Sequence, residues 1–360
     1  MRGRMTFQLG PEHFVRPDAA PMARVVDGLP DAIDEAADAA AGPYRFLRRH
    51  WFATAAAAYG GVPRTVVVEA RGRAVSAMPL VAVGPVPLGL AQLPGSYWPM
   101  RSAPLAADID DAALARLGEA LAGNARAVRI GPIMDDDPLV TRLLPVLRGQ
   151  GWATIDRELG HSFRLDVAAQ TQPWPRTSTA KKTRYFAKQL AAGGDVQFTE
   201  IRGSAWTADA ALQLARIETA SWVTTRAGGA DAKFAASGHA AFWTGVTTDA
   251  ALADMLVATI LSVGDAPVAF VLDLDSGGRR YTIANSYDPA FAAASPGRVL
   301  GWHALTKAGA EGTIEIDWGS GDSGYKSGFG ANEGPALRDW LLFAPGVPAW
   351  AGRVAARLRR

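Results

Sequence analysis

Three side chains near the C-terminal end of the sequence have the types and the spacing that proton transfer requires. Asp317 lies in the short alternating stretch 313–318, and Tyr325 and Lys326 follow it by eight and nine residues in a glycine-rich loop. A carboxylate there can accept a proton from a nucleophile, and a neighbouring ammonium group keeps it ionised and oriented. A second interpretation of Asp317 is structural, because an aspartate before a turn can cap it by accepting from backbone amides. The sequence leaves both interpretations open.

The segment Ser295-Pro296-Gly297-Arg298 has the composition of an anion site. Ser295 is suited to cap the start of a helix, and Pro296 fits the first helical position, which needs no amide hydrogen. The free amides and the dipole of a helix start attract a phosphate group. Gly297 allows that phosphate to approach closely, and Arg298 adds a positive charge. We therefore predict that Ser295, Gly297 and Arg298 bind the phosphates of a ligand.

A hairpin, a helix and further strands must bring these two sets of residues together. Alternation of apolar and polar residues indicates the strands, and glycines indicate the turns and the end of the helix. The predicted elements are, in order, strands over 266–275 and 279–288, a helix from Ser295 to Gly309 or Gly312, and strands over 313–318 and 338–343. The period of two residues along a strand places Glu315 and Asp317 on one face.

The order of these elements and four short motifs resemble a known group of enzymes. The motifs are Tyr287-Asp288 after the hairpin, Ser295-Pro296-Gly297 at the helix start, Asp317-Trp318-Gly319-Ser320-Gly321 at the end of the strand, and Tyr325-Lys326 in the loop. Together they are similar to the CelD-type (BioF2-like) branch of the GNAT acetyltransferases, which is related to the FemAB transferases. The similarity is clearest in the C-terminal part of the chain.

The resemblance implies a site for an acyl-CoA thioester, in a gap between two diverging strands that carry 285–288 and 315–317. Acetyl-CoA or another acyl-CoA is the implied co-substrate, and no metal is expected. The implied catalytic residues are Asp317, Lys326, Tyr325 and Asp288; Ser295, Gly297 and Arg298 would hold the pyrophosphate, and Tyr287, Glu218 and Trp222 the acceptor substrate. For Glu218, the alternative is a surface carboxylate without a role in binding.

The resemblance also predicts the organisation of the chain. We expect an α/β fold of the α+β type, with two GNAT-like domains that each contain a mixed, mostly antiparallel sheet flanked by helices. The predicted parts are a partly ordered lead-in at 1–42, a degenerate N-terminal GNAT-like domain at 43–168, a C-terminal acyltransferase domain at 169–345 and a basic tail at 346–360, with the break between domains near 170–175. The tail either caps the fold or touches a membrane surface.

Composition excludes several kinds of site. The chain has 360 residues, enough for two domains, and its 49% hydrophobic and 20% charged residues are typical of a globular protein. It contains no cysteine, which excludes thiol nucleophiles and disulfides, and its five histidines are not paired at helical spacing. No apolar run reaches the roughly 20 residues that span a bilayer, and the N-terminus lacks the apolar core of a secretory signal. We expect a cytoplasmic protein without a transmembrane segment.

Three functions are compatible with these residues. The first is an acyl-CoA-dependent N- or O-acyltransferase that acts on a small molecule or a cell-envelope saccharide. The second is a FemAB-like aminoacyl transferase that uses charged tRNA and contacts it through the basic segment Lys181–Lys188. The third is a non-catalytic subunit of a polysaccharide biosynthesis system. A net charge of +2 does not indicate a nucleic-acid-binding protein, so tRNA is expected only in the second case. The basic segment is otherwise an exposed bridge between the domains.

Overall fold

The computed structural model describes residues 20–95, 101–170, 176–227, 229–235, 239–322 and 324–358. Three predicted features therefore lie partly or wholly outside the described residues. These are the beginning of the lead-in, the centre of the predicted break between domains, and the last two arginines of the basic tail.

The first half of the chain alternates helices with the strands of a sheet. Its elements are β1 (Met22–Asp27), α1 (Ala32–Asp38), α2 (Arg49–Tyr59), β2 (Arg64–Ala70), β3 (Arg73–Ala82), β4 (Leu90–Gln92), α3 (Asp111–Asn124), β5 (Ala127–Met134), α4 (Leu144–Gly149) and β6 (Ala153–Asp166). β2 is a strand with β-branched residues on both faces, and Val66, Val67 and Val68 are all buried.

The second half contains the predicted hairpin, helix and strands. Its elements are α5 (Thr177–Ala191), β7 (Val196–Ile201), α6 (Ala208–Ala220), α7 (Trp222–Ala227), α8 (Ala240–Val246), α9 (Ala250–Met255), β8 (Leu256–Val263), β9 (Ala266–Ser276), β10 (Arg279–Tyr287), α10 (Pro296–Ala310), β11 (Glu315–Ser320), α11 (Tyr325–Phe329), β12 (Asn332–Phe343) and α12 (Val347–Leu358). The predicted hairpin is β9 and β10, the predicted helix is α10, and β11 and β12 are the two strands expected after it.

These strands form one twelve-stranded sheet in the order β1-β2-β3-β4-β5-β12-β6-β11-β10-β9-β8-β7. The strands of each half follow in the same order from the outer edge of the sheet to its centre. The last strand of each half, β6 or β12, lies beside strands of the other half. β12 pairs with β5, β6 pairs with β11, and β6 and β12 pair with each other at the centre. The predicted fold of two GNAT-like domains, each with a mixed and mostly antiparallel sheet, is confirmed.

Each half of the sheet contains one parallel pair of strands. In the first half β4 runs parallel to β5, and in the second half β10 runs parallel to β11, whereas the other pairs among the described strands are antiparallel. A parallel pair needs a crossover connection, and a helix supplies it in both places, α3 in the first half and α10 in the second. The two helices therefore hold equivalent positions.

An apolar core on one face of the sheet joins the two halves. The ring of Trp51, from α2, packs edge-on against Phe242, from α8, with ring centroids 4.9 Å apart. The hydroxyl of Tyr281, on β10, donates to the carbonyl of Pro43 at 3.0 Å. On the opposite face α10 covers the second half of the sheet, and its buried residues include Val299, Leu300 and Ala304. The halves thus share a core although each has its own crossover helix.

The start of the N-terminal domain, predicted at residue 43, is wrong, because the described residues before it already belong to the first half. β1 pairs with β2, and α1 buries Ile33, Ala36 and Ala37, so residues 22–38 are an edge strand and a helix of the first half. The boundary predicted at 168 and 169 separates the halves along the chain, but the exchanged strands β6 and β12 cross it in space. Sequence patterns do not report such an exchange, because a strand alternates in the same way whichever neighbour it pairs with.

Candidate active site

A cleft opens in the second half where β10 and β11 separate. The two strands pair only from Arg279–Tyr281 with Glu315–Asp317, and beyond these residues they diverge. The cleft has a volume of about 880 Å³, and the start of α10 lies on its wall. Its lining residues include Asn285, Tyr287, Gly297, Arg298, Trp318 and Tyr325. The gap between diverging strands is therefore present where the sequence predicts it.

The start of α10 is open toward this cleft. Ser295 stands at the cap position, but its side chain forms no capping hydrogen bond, and its backbone has the left-handed φ of 46° that is uncommon outside glycine. Pro296 has no amide hydrogen, and the amide of Arg298 donates back to the carbonyl of Ser295 at 3.0 Å. Within the described residues the amide of Gly297 donates no hydrogen bond. The amide of Gly297 is thus free for a ligand, whereas that of Arg298 is already bonded.

Gly297 stands close to the neighbouring strand β10. A Cβ atom at this position would lie 3.3 Å from the side-chain oxygen of Asn285 and 3.5 Å from the ring of Tyr287. The guanidinium of Arg298 lies 6.0 Å from the centre of the Phe329 ring, on the wall of the cleft. Gly297 and Arg298 both line the cleft, so a free amide and a cation are next to each other on its wall.

Tyr325 lies at the start of α11 and lines the cleft, as predicted from its place in the loop. Burial, followed by the nearby carboxylates of Asp273 and Asp322, raises the pKa of Tyr325 to about 12. Its hydroxyl therefore keeps its proton at neutral pH and can donate it. Tyr287 and Trp222 also line the cleft, and Trp222 is half exposed there.

Asp273, which the sequence analysis missed, is a buried carboxylate on β9. It borders a small cavity of about 20 Å³, and Thr282, Asn285 and Tyr325 line both this cavity and the main cleft. The side chain of Asp273 is 2% exposed, and its Oδ1 has no hydrogen-bond partner among the described residues. Burial raises the pKa of Asp273 to about 6, while the positive charge of Arg280 acts in the opposite direction. The signal in the sequence was one carboxylate in the apolar run 268–274.

The prediction that Asp317 forms the polar centre of the site is wrong. The cleft and its small cavity lie on the side of Ile316 and Trp318, so the alternation along β11 directs Asp317 away from them. The carboxylate of Asp317 is 1% exposed and accepts from Ser162 Oγ, Arg164 Nε and the amide of Gly319, each at 2.8 Å. The structural interpretation of Asp317 as a turn cap agrees with this contact to Gly319.

Lys326 and Asp288 also have structural contacts. The Nζ atom of Lys326 donates to the carbonyls of Trp318, Gly319 and Ser320 at 2.7 to 3.1 Å, and burial lowers its pKa. These contacts hold the loop that closes one side of the cleft, so the predicted ion pair with Asp317 is replaced by carbonyl contacts. Asp288 accepts from the amide of Ala290 at 2.8 Å and caps the short turn before α10. The predicted catalytic role of Asp288 is therefore not favoured.

Glu218 is neither a surface residue nor a wall of the cleft. It is buried on α6, and its carboxylate accepts from the backbone amides of Lys233, Phe234 and Ala235 at 2.7 to 3.0 Å. Three charge-assisted hydrogen bonds leave this carboxylate little capacity for a substrate. The prediction that Glu218 binds the acceptor is wrong, because its carboxylate is buried and already bonded to three amides. These amides lie 15 to 17 residues further along the chain, so helix periodicity does not reveal the contact.

The segment that forms the cleft matches a known protein family. Residues 177–327 match the family model described as an acetyltransferase (GNAT) domain. This segment contains α10, the diverging strands and Tyr325. It is a GNAT-type acyltransferase domain. A search of curated proteins finds no similar sequence.

Several solved structures share the fold of the whole chain. FemX is 11% identical, with a TM-score of 0.59, and the alignment covers 86% of this chain and 94% of FemX. L-PGS from Bacillus licheniformis is 11% identical, with a TM-score of 0.55 and coverage of 92% and 98%. The C-terminal domain of a candidate lysylphosphatidylglycerol synthetase from Agrobacterium fabrum is 13% identical, with a TM-score of 0.55 and coverage of 91% and 95%. At this identity the similarity shows the fold alone.

The described residues contain neither a metal-binding cluster nor a membrane-spanning helix. No group of three or more His, Asp or Glu side chains there is arranged to hold a metal ion. No helix in the described ranges has both the length and the apolar character needed to cross a membrane.

Proposed function

We propose that the GNAT acyltransferase domain transfers an acyl group, most simply acetyl, from acyl-CoA to an amine or hydroxyl acceptor in the cleft between β10 and β11. The observation that carries this proposal is the open start of α10 at the mouth of that cleft. The free amide of Gly297, the helix dipole and the side chain of Arg298 together suit the pyrophosphate of the co-substrate. The volume of about 880 Å³ is sufficient for an acyl-pantetheine arm and an acceptor.

Acyl transfer moves two protons, and two side chains are suited to them. The nucleophile loses a proton as it bonds to the carbonyl carbon, and the leaving sulfur gains one as the carbon–sulfur bond breaks. We assign the first proton to Asp273, whose pKa of about 6 makes it an acceptor at neutral pH. The second proton comes from Tyr325, which is protonated at neutral pH. The small cavity between them has room for about one water molecule, which would connect Asp273 to the main cleft.

The resemblance to the CelD-type transferases supports an acceptor that is a small molecule or a cell-envelope saccharide. The half-exposed ring of Trp222 and the ring of Tyr287 stand on the wall of the cleft. Flat aromatic side chains of this kind pack against the apolar faces of sugar rings. We therefore keep Trp222 and Tyr287 as the proposed acceptor-binding residues.

A second candidate is transfer of an aminoacyl group from charged tRNA, and the observation that favours it is on α5. Lys181, Lys182, Arg184 and Lys188 are all exposed on this helix, as a phosphate-binding surface requires. In this case the donor would extend from the cleft toward α5. In the third possibility, a non-catalytic subunit, neither donor would bind productively.

Binding of the two donors to the full chain distinguishes these possibilities. Titration calorimetry with acetyl-CoA should give one site, and free CoA, which lacks the acyl group, should compete for it. Deacylated and aminoacylated tRNA, added at matched ionic strength, should not raise the melting temperature. Saturable binding of aminoacyl-tRNA without binding of acetyl-CoA would instead support the second candidate. Transfer of radiolabelled acetyl to a mixture of amino sugars then tests for catalysis, and acetyl-CoA binding with no transfer or hydrolysis would support the third.

A further inference from the structure

The last described helix, α12, presents two large apolar residues away from the fold. Its small residues face the sheet: Ala349 is fully buried, and a Cβ atom added to Gly352 would lie 2.5 Å from the ring of Phe343. Val347 and Trp350 stand on the other side and are 78% and 64% exposed. An amphipathic helix of a globular protein normally buries its bulky apolar side. Here none of the residues in the described ranges covers Val347 and Trp350.

Positive charge accompanies this apolar side. Arg353 and Arg357 are exposed on α12, and the sequence from residue 340 to residue 360 contains no aspartate or glutamate. No ion pair of Arg353 or Arg357 occurs within the described residues. The described part of the chain therefore offers Arg353 and Arg357 no carboxylate partner.

The acidic residues of the underlying strands already have partners. Asp156 and Glu158, on β6, bind Arg338, and Asp339, on β12, binds Arg129. These carboxylates are therefore not available to Arg353 and Arg357. A partner for α12 must bring both an apolar layer and negative charge.

We propose that α12 docks on an anionic lipid surface. Val347 and Trp350 would enter the interface between headgroups and acyl chains, and Arg353 and Arg357 would contact lipid phosphates. Tryptophan is suited to this depth because its ring is apolar and its N–H is polar. The helix would lie on the membrane.

The strand registers separate this surface from the cleft. β11 and β12 run in the same direction, because both pair antiparallel with β6. β11 ends with Ser320 opposite Ser162, whereas β12 ends with Phe343 opposite Ala153, nine residues further along β6. At about 3.3 Å per residue, the start of α12 lies roughly 30 Å beyond the end of β11 along the sheet. The proposal therefore concerns attachment of the protein to a membrane and not entry of an acceptor into the cleft.

Vesicle co-sedimentation of the full chain tests the proposal. The protein should bind vesicles made from equal parts of phosphatidylglycerol and phosphatidylcholine, bind vesicles of phosphatidylcholine much more weakly, and be released by added salt. Removing both arginines in Arg353→Gln/Arg357→Gln should lower the partition coefficient about 25-fold, because each basic residue near an anionic surface contributes about fivefold. The double variant Val347→Ser/Trp350→Ser should abolish binding.

The matched control is Leu212→Ser, which removes a large apolar side chain that is 55% exposed on α6. It should bind vesicles as the parent does, and all variants should keep the melting temperature of the parent because the substituted side chains are exposed. Equal binding to both kinds of vesicle, or normal binding by the Val347→Ser/Trp350→Ser variant, would overturn the proposal. A dimer in sedimentation velocity that this variant dissociates, without vesicle binding by the parent, would assign the surface to a second copy of the chain and overturn it as well.

Discussion

The two crossover helices, α3 and α10, hold equivalent positions in the two halves, but their N-termini differ in capping and in charge. α3 begins at Asp110, whose carboxylate accepts from the amide of Ala113 at 2.8 Å, and Asp111 follows in the first turn. α10 begins at Ser295, whose side chain caps nothing, and Arg298 follows. The first helix start is already occupied by its own negative charge, whereas the second is open to an anion. Within the described residues, only the start of α10 has the open cap on which the proposed ligand site depends.

The buried carboxylates of the two halves differ in the same way. In the first half Asp137 is fully buried, and its Oδ1 accepts from Ser102 Oγ at 3.0 Å and from the amide of Leu139 at 2.8 Å. Burial raises the pKa of Asp137 to about 7. In the second half Asp273 has a similar raised pKa, but it borders the cavity beside the cleft. A perturbed pKa alone therefore does not identify a catalytic group, and access to the cleft distinguishes the two.

The largest effect is expected from neutralising one of these carboxylates. Asp273→Asn should lower kcat by about a hundred- to ten-thousand-fold, because the variant has no general base. Asp137→Asn, the matched control in the first half, should leave kcat unchanged. Steady-state acetyl transfer by both variants measures the difference. Equal loss of activity in both would show that the two carboxylates act through the fold and not through the cleft.

The dependence of kcat/KM on pH should also distinguish Asp273 from Asp137. Since Asp273 must be ionised to accept a proton, kcat/KM should rise as the pH increases through about 6, the folded pKa of this group. The charged neighbours that set this value are Arg280, which lowers it, and Asp275, which raises it. The rise should disappear in Asp273→Asn and persist in Asp137→Asn. A profile that is flat between pH 5 and 7 in the parent enzyme would contradict the assignment.

Stability should have the opposite dependence on pH. The pKa of Asp273 is higher in the folded state than its ordinary value of 3.8. Its contribution to the free energy of unfolding is therefore fully present below that ordinary value and is lost as the pH rises through about 6. Denaturant titrations at pH 4 and pH 8 measure this effect. From pH 4 to pH 8, the free energy of unfolding should fall less in Asp273→Asn than in the parent.

A larger side chain should affect acetyl-CoA binding at the start of α10 but not at a glycine outside the cleft. Gly297→Val should weaken acetyl-CoA binding about tenfold or more, because its side chain blocks the free amide and one charge-assisted hydrogen bond is worth about 1.5–3 kcal/mol. The matched control is Gly123→Val near the end of α3, where an added Cβ atom meets no neighbour within 4 Å. Calorimetric titration of both folded variants provides the measurement. If Gly297→Val binds acetyl-CoA with the affinity of the parent, the pyrophosphate does not bind at the start of α10.

A smaller effect, on stability alone, is expected at the junction of the halves. Asp317→Asn removes the charge that binds Arg164, whose side chain is 11% exposed, and should lower the free energy of unfolding by about 1–3 kcal/mol. Asp136, the more exposed second partner of Arg164, provides the control, and Asp136→Asn should cost less. Activity of the folded Asp317→Asn enzyme should equal that of the parent. Loss of activity at an unchanged melting temperature would instead support a catalytic role for Asp317.

The smallest effect compares the two caps directly. Asp110→Ala should cost about 1 kcal/mol because it removes the capping bond of α3. Ser295→Ala should change stability very little, because the side chain of Ser295 forms no capping bond. Thermal unfolding of the pair measures this contrast. A similar loss in both variants would mean that the start of α10 is capped in solution and not open.

Much of the candidate site was predictable because its signals are local. The hairpin, the proline and glycine at the start of α10 and the glycine-rich loop with Tyr325 are each encoded within a few residues. Strand alternation, helix starts and turns depend on neighbours in the sequence. The resemblance to GNAT transferases rests on the same short segments, and the structure places Tyr325, Gly297 and Arg298 around one cleft.

What the sequence by itself determined was the identity and order of these elements and the face on which Glu315 and Asp317 lie together. Only the tertiary structure decided which side of the sheet contains the cleft, and so replaced Asp317 by Asp273 as the carboxylate beside it. It also decided that β6 and β12 are exchanged and that Glu218 binds distant amides. The physical reason is that the period of a strand fixes which side chains share a face, whereas the layers packed on the sheet determine which face is buried, paired or open.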